Sequence, residues 1–271
     1  MAQFTRAVRV SLTLAGALAL APLAGHAQSW IKPGEETMLL RVGGLSSRID
    51  SSVRLDGNRG GTGIDLEGDT GLDGNRTTYF LGGTLRVAPK HRFDFLYDEN
   101  SRSGSRSTQR EYVIDDIVIP AGTTLSAENT TRIGYLGYRY SFLKNPTGEV
   151  AAGVGMYGGN FQYKFQSGGA GINIDESTTL PLPVLSLSGD WYLTERMFLR
   201  AGVNGLKLTV NDVDGSVLVA NVGGEYQITN NFGIGLSFEY FDIEVDAVKG
   251  GFKGNASLET SKALIYLTGR F

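Results

Sequence analysis

The side chains in this sequence that can do chemistry are charged, and they recur at every second position inside stretches of alternating polarity. In Arg92 to Asp98, one face carries Arg92, Asp94, Leu96 and Asp98, and the other Phe93, Phe95 and Tyr97. Extending this period-2 reading along the chain collects the bases Arg41, Arg86, Arg92, Arg139, Arg200 and Arg270. The matching acids are Asp94, Asp98, Glu149, Asp190, Glu225 and Glu239. Six bases against six acids on the face opposite the apolar one predict a cross-linked polar core, since buried charge is costly unless paired. A selectivity lining would carry one sign of charge. Asp94 and Asp98 have the residue types for acid–base work, but the neighbouring Arg92 and Arg86 predict charge pairing instead.

Metal chemistry has one candidate. The acidic stretch Asp65 to Asn75 offers Asp65, Glu67, Asp69 and Asp73 to a hard cation. It departs from the EF-hand, because Thr70 stands where that loop needs Gly and Arg76 where it needs the bidentate Glu. A looser Ca²⁺ site, or one bridging to lipopolysaccharide, is the metal reading of this segment, and a solvated loop is the plain one. No cofactor is expected. There is no cysteine, so neither a thiol nucleophile nor a disulfide framework is available.

The elements that carry these residues alternate with period 2, the mark of half-buried strands. Ten are predicted: 37–55, 77–88, 92–98, 132–143, 149–165, 178–193, 197–209, 216–228, 232–245 and 255–271. Every second connection is short, around Lys90, Asn145, Glu195 and Asn230, and the intervening ones are mostly longer. The apolar patch Val113 to Leu125 predicts a hairpin tip rising beyond the membrane. Tyr138, Tyr140, Trp191, Tyr192 and Tyr226 gather beside the short turns, where amphipathic rings would sit at headgroup level.

Composition bounds the class. Residues 1–27 have the parts of a cleaved secretory signal: Arg6 and Arg9, then the apolar run Leu12 to Leu23, then Gly25-His26-Ala27. The apolar run is too short to span a bilayer as a helix. Without Arg6 and Arg9 the chain holds 23 basic against 28 acidic residues, and no basic stripe marks it for nucleic acid. Glycine, at 38 residues, is about twice its usual share, while proline is only 7. Glycine inside strands suits tight barrel curvature. Alternation alone also fits a soluble sandwich or lipocalin-like barrel. The opposite face decides between them: it is poor in Lys, rich in Gly and dotted with charges of both signs, unlike a surface facing water.

The last stretch, Ala263 to Phe271, keeps an apolar face through Ala263, Ile265, Leu267, Gly269 and Phe271 to the final residue. It resembles the closing strand of bacterial outer-membrane β-barrels, which ends in an aromatic residue, so Leu267, Gly269 and Phe271 are expected to form the assembly signal. The whole pattern resembles small proteobacterial outer-membrane barrels of the OmpA-like and OmpW-like kind. Ile64-Asp65-Leu66-Glu67, Leu72-Asp73, Arg92-Phe93-Asp94-Phe95, Pro120-Ala121-Gly122 and Tyr138-Arg139-Tyr140-Ser141-Phe142-Leu143 look like those of a largely uncharacterised barrel family. The resemblance implies an all-β fold: a single closed antiparallel transmembrane β-barrel of about ten strands over residues 28–271, with short periplasmic turns and longer extracellular loops. It implies an outer-membrane location, with lipid, lipopolysaccharide and the barrel-assembly machinery as partners, and it brings no catalytic residues. Enzymes among small barrels (omptin-type proteases, lipid A deacylases and palmitoyltransferases, the outer-membrane phospholipase) rely on histidine on the outer side. After residue 27 this chain has one histidine, His91, in a short turn on the other side. The expected function is therefore non-enzymatic, in envelope structure or surface interaction, around a lumen plugged or narrowed by salt bridges. The alternative is a narrow porin-like channel for small solutes or hydrophobic molecules.

Overall fold

The computed structural model describes residues 31–271 apart from 58–59, 115–116, 168–171, 211–212 and 250–251. The expected signal segment, 1–27, lies outside the described residues. The chain forms β1 (Met38–Asp56), β2 (Ile64–Asp65), α1 (Leu66–Thr70), β3 (Asn75–Ala88), β4 (His91–Ser107), β5 (Tyr112–Ile114) and β6 (Ile117–Ile119). It continues with β7 (Thr124–Asn145), β8 (Gly148–Ser167), β9 (Ile172–Tyr192), β10 (Met197–Val210), β11 (Val213–Gln227), β12 (Phe232–Lys249) and β13 (Phe252–Arg270). Ten long strands, all but β2, β5 and β6, follow one another in a single antiparallel sheet. The sheet closes where β13 pairs with β1, from Leu39↔Arg270 to Asp56↔Lys253. Closure leaves the barrel no free edge, which is how β structure survives in lipid.

Alternation places the side chains as the sequence requires. Along β7 buried and exposed residues alternate almost without a break. The exposed set is apolar: Val42, Leu81, Leu136, Val154, Leu187, Val222, Leu236 and Leu267 all face out, and Ile265 is 70% exposed. A soluble barrel would turn this face inward. Its outward position makes a lipid-facing belt. Two bulges interrupt the ladder, between Arg86 and Ala88 and between Ser141 and Leu143. The second turns Phe142 and Leu143 both outward, because the extra residue shifts the side-chain phase by one.

The strands are longer than alternation in the sequence suggests. β7 runs 22 residues, about twice the ~9–11 that cross a bilayer on a tilted strand. Exposed Tyr140, Trp191, Tyr226, Phe232 and Phe271 mark one membrane boundary beside the short turns. The surplus length therefore projects from the far end. Glu99 to Ser107, Thr124 to Thr131 and Ile172 to Ser177, expected as loop, are strand. Their outward face meets water, so neither face carries the apolar run that marks a strand in sequence. Tyr192 departs from the expected aromatic ring: it is only partly exposed, its hydroxyl is buried, and its ring lies against Gly34.

Candidate functional site

The candidate site is the lumen, and it is built in layers. At the short-turn end, β3, β4, β8, β9 and β10 bring together Arg86, Arg92, Glu149, Asp190 and Arg200. Glu149 accepts from Arg92 Nη1 at 2.7 Å and from Ser141 Oγ at 2.8 Å, and pairs with Arg86 at 3.1 Å and Lys144 at 3.8 Å. Asp190 takes Arg92 Nη1 at 2.8 Å and Arg200 Nε at 2.6 Å. Arg92 is 1% exposed, so this network stands in a low-dielectric interior where loss of a partner is expensive. Beneath it Pro33, Gly34 and Glu36 are buried across the barrel end, and Lys144 Nζ donates to Gly34 O at 2.7 Å. Gly34 adopts φ 84°, a left-handed conformation that suits glycine.

Around the wall, Asp94 pairs with Arg139 at 3.3 Å and accepts from Thr84 Oγ1 at 2.7 Å. Arg41 donates to Glu225 at 2.7 Å, Arg270 reaches the same carboxylate at 3.3 Å, and the Arg270 guanidinium lies 4.6 Å from the Phe198 ring centre. Lys262 joins Asp98 at 2.8 Å and Glu239 at 3.2 Å. The structure thus turns all twelve charges picked from the sequence into the lumen, and each has a partner of opposite sign. One pairing differs from expectation. Asp98 pairs with Lys262 and not with Arg86 or Arg92. Four residues apart on one strand, Asp94 and Asp98 are about 13 Å from each other, too far to share a proton.

The middle of the lumen is apolar, which the charge reading missed. Ile133, Tyr135, Tyr157, Phe161, Val184, Val217, Val219, Phe241 and Ile243 pack as one buried cluster, and Leu45, Phe80, Leu264 and Tyr266 as another. The Tyr135 and Tyr157 ring centres lie 4.5 Å apart. Beside Tyr135, Tyr157, Val217 and Val219 the outward face is apolar too, with Leu136, Met156 and Leu218, so hydrophobicity does not separate the two faces there; Phe161 and Ile243 instead alternate with Asn160, Gln162, Asp242 and Glu244. Between this layer and the charges lies a cavity of about 140 Å³ lined by Arg41, Asp94, Arg139, Glu225, Glu239 and Tyr157 among others. Lys262 also escaped the sequence reading, although counting back by twos from Arg270 through Thr268, Tyr266 and Leu264 reaches it.

At the far end, segments between strands pack into the barrel mouth. β2 adds to β1 through Ser52↔Asp65 and Val53↔Ile64, and α1 follows directly. Leu66 and Leu72 pack with Tyr112, Ile119, Leu125, Ala127 and Phe165 in a third buried cluster. The hairpin expected within Val113 to Leu125 is present as β5 with β6; Tyr112, Ile119 and Leu125 anchor it on α1 and the barrel mouth, while Ile117 and Val118 stay exposed. The four acidic candidates for a cation diverge. Asp65 caps α1 by accepting from Gly68 N at 2.9 Å, and Asp73 accepts from Asn75 N at 2.9 Å. Asp69 accepts from Asp65 N at 3.1 Å, and Glu67 turns inward to Ser51 and Arg102. Among the described residues no group of three or more His, Asp or Glu could hold a metal. His91 lies at the short-turn end, with Nδ1 2.7 Å from the Tyr138 hydroxyl and its ring against Tyr140.

The C-terminal residues seal the barrel. Phe271 O accepts from Thr37 N at 2.7 Å and Met38 N at 2.9 Å, and Phe271 N donates to Met38 O at 2.9 Å. Leu267 and Phe271 face out, and Gly269 leaves room beside the Phe271 ring.

No protein-family model and no curated protein matches this chain. Its likenesses are to solved outer-membrane barrels. The outer membrane protease OmpT from Escherichia coli shares 12% identity, with 86% of this chain and 96% of that one covered and a TM-score of 0.48. The outer membrane protein OprG from Pseudomonas aeruginosa shares 15%, with 86% and 95% covered and a TM-score of 0.41. The Pseudomonas putida toluene transporter TodX shares 8%, with 89% and 92% covered and a TM-score of 0.35. Likenesses this remote carry no activity across. The fold rests on the closed ladder of the chain itself.

Proposed function

We propose that this protein is a non-enzymatic outer-membrane barrel that acts in envelope structure or surface interaction, with its lumen held closed. On this reading the short turns face the periplasm and the projecting strands, α1 and the β5–β6 hairpin face outward, in contact with lipopolysaccharide. One observation carries the proposal: the lumen is filled in successive layers, by ion pairs at the short-turn end, by aromatic and aliphatic side chains in the middle, and by α1 with the hairpin at the mouth. A one-sign, water-filled pore would leave charges unpaired and a continuous passage. Against enzyme action, among the described residues His91 is spent on tyrosines at the short-turn end, and Asp94 and Asp98 are each paired with a base.

The cavity beside Arg41 and Arg139 favours the second reading, a narrow channel. It has room for several water molecules, and Arg41 Nη2 and Arg139 Nε have no hydrogen-bond partner in the protein. Planar-bilayer recording of the refolded barrel separates the two. The closed reading expects no steady conductance and no liposome swelling with small sugars. Large, steady open steps would overturn it.

A further inference from the structure

Arg102 differs from the other lumen arginines. Arg41, Arg86, Arg92, Arg139, Arg200 and Arg270 pair with carboxylates on barrel strands, whereas Arg102 pairs with Glu67, on α1. The barrel wall supplies every donor here. Ser51 N and Ser51 Oγ, on β1, donate to the two Glu67 oxygens at 2.7 Å each, and Arg102 Nη1, on β4, donates to Oε1. The wall also fixes the arginine: Arg102 is 3% exposed, and its Nη2 donates to Asn129 Oδ1 on β7 at 3.3 Å. Asn129 is itself positioned by Thr131 Oγ1 at 3.2 Å. From α1 the wall takes the Glu67 carboxylate, the Gly68 carbonyl, which accepts from Arg106 Nη1, and the buried Leu66 side chain; Glu67 is its one charged group inside the mouth, since Asp69 meets Arg110 at the exposed rim. It is a five-residue unit closed on itself, N-capped by Asp65 and C-capped by Gly71 at φ 73°. It seats where β4 carries Gly104: a side chain there would collide with the backbone of Gly71 and Leu72.

This is the division of parts between a receptor and its ligand. We propose that Arg102 and Ser51 form an outward-facing carboxylate-binding site, that its ligand is a small organic carboxylate, and that Glu67 is a tethered occupant making α1 a displaceable lid. Arg102 gives the carboxylate one charge-assisted hydrogen bond from Nη1, and Ser51 N and Oγ complete a three-donor cradle that spans both oxygens, a set that favours an ionised carboxylate. A tethered competitor acts at an effective concentration of about millimolar for a short link, so the wild-type site takes an outside carboxylate only weakly.

The test uses the full barrel refolded in detergent, with heat-modifiable mobility as the check on folding and acetate as the probe. Glu67→Ala is expected to bind acetate saturably by calorimetry and more tightly than wild type, by about tenfold if the untethered carboxylate would bind at about 0.1 mM against an effective concentration of about 1 mM. The double variant Glu67→Ala/Arg102→Met is expected to bind none. A second arm leaves Glu67 in place and does not need that variant to fold. Thr70, the last residue of the lid itself, is fully buried, and the chain has no cysteine, so Thr70→Cys carries a single reporter thiol that lid opening would expose. Acetate is expected to speed its reaction with a charged thiol reagent, and chloride at equal ionic strength to leave it slow. A folded Glu67→Ala barrel that binds no acetate, or a Thr70→Cys rate independent of acetate, would overturn the proposal.

Discussion

Replacing Glu149 by Gln tests whether the base of the lumen is dry. Glu149 is 2% exposed and sits among Arg86, Arg92 and Lys144, with Ser141 donating to it. The amide keeps the shape and removes the charge, so two buried guanidinium groups lose a counter-ion at once. Arg92 retains Asp190 at 2.8 Å. Arg86 retains only a hydrogen bond to Pro89 O at 3.1 Å among its other bonds, so it bears most of the loss. Breaking a buried pair by removing one partner costs about 3–5 kcal/mol. The lower end applies here, since the network redistributes around Asp190. A urea titration of the refolded barrel, followed by tryptophan fluorescence, should show a loss of about 3 kcal/mol. In the cycle with Arg86→Met, the double variant should be more stable than the sum of the singles predicts, because Glu149→Gln alone leaves Arg86 without a counter-ion and the double variant does not, while Glu149 in Arg86→Met keeps Arg92 and Lys144. A loss below about 1 kcal/mol, the range of solvent-exposed pairs, would mean that water solvates these charges. The argument for a closed lumen would then fail with it.

Two further outcomes follow from the outer surface and the seam. Leu236 lies midway along the exposed apolar face of β12, between Phe232 and Tyr240, so Leu236→Arg should cost about 2–4 kcal/mol in lipid vesicles. A change of a few tenths of a kcal/mol would place that face in water. Deleting Phe271 removes the backbone bonds to Thr37 and Met38 at the seam, and should reduce the heat-modifiable barrel recovered from membranes. Wild-type recovery would show that the closing strand assembles without its aromatic end.

The sequence alone determined the strands that cross the membrane and twelve of the charges within, though not Lys262 or Arg102. Period 2 fixes which residues share a face. The contrast between Leu136, Tyr138 and Tyr140 on one side and Gly137, Arg139 and Ser141 on the other is local information, readable before any partner is known. That is why the twelve lumen charges, the short turns and the inward direction of Arg270 were legible. The partners were not. Asp98 meets Lys262, 164 positions later, only because β3 separates β1 from β4 in a closed ladder and the lumen is narrow enough to reach across. The apolar layer at Tyr157 and Val219 was hidden because Met156 and Leu218 make the outward face apolar as well, so hydrophobicity alone cannot tell lipid from core there. Beyond the membrane, where β4 and β7 continue with a polar outer face, alternation stops being informative, and cross-strand hydrogen bonds alone define the strands. Glu67 shows the same limit at a single residue. In the sequence it is one acid among several in a Gly- and Asp-rich stretch. Tertiary structure alone brings it to Arg102, because folding α1 into the barrel mouth turns this carboxylate from water toward the buried donors.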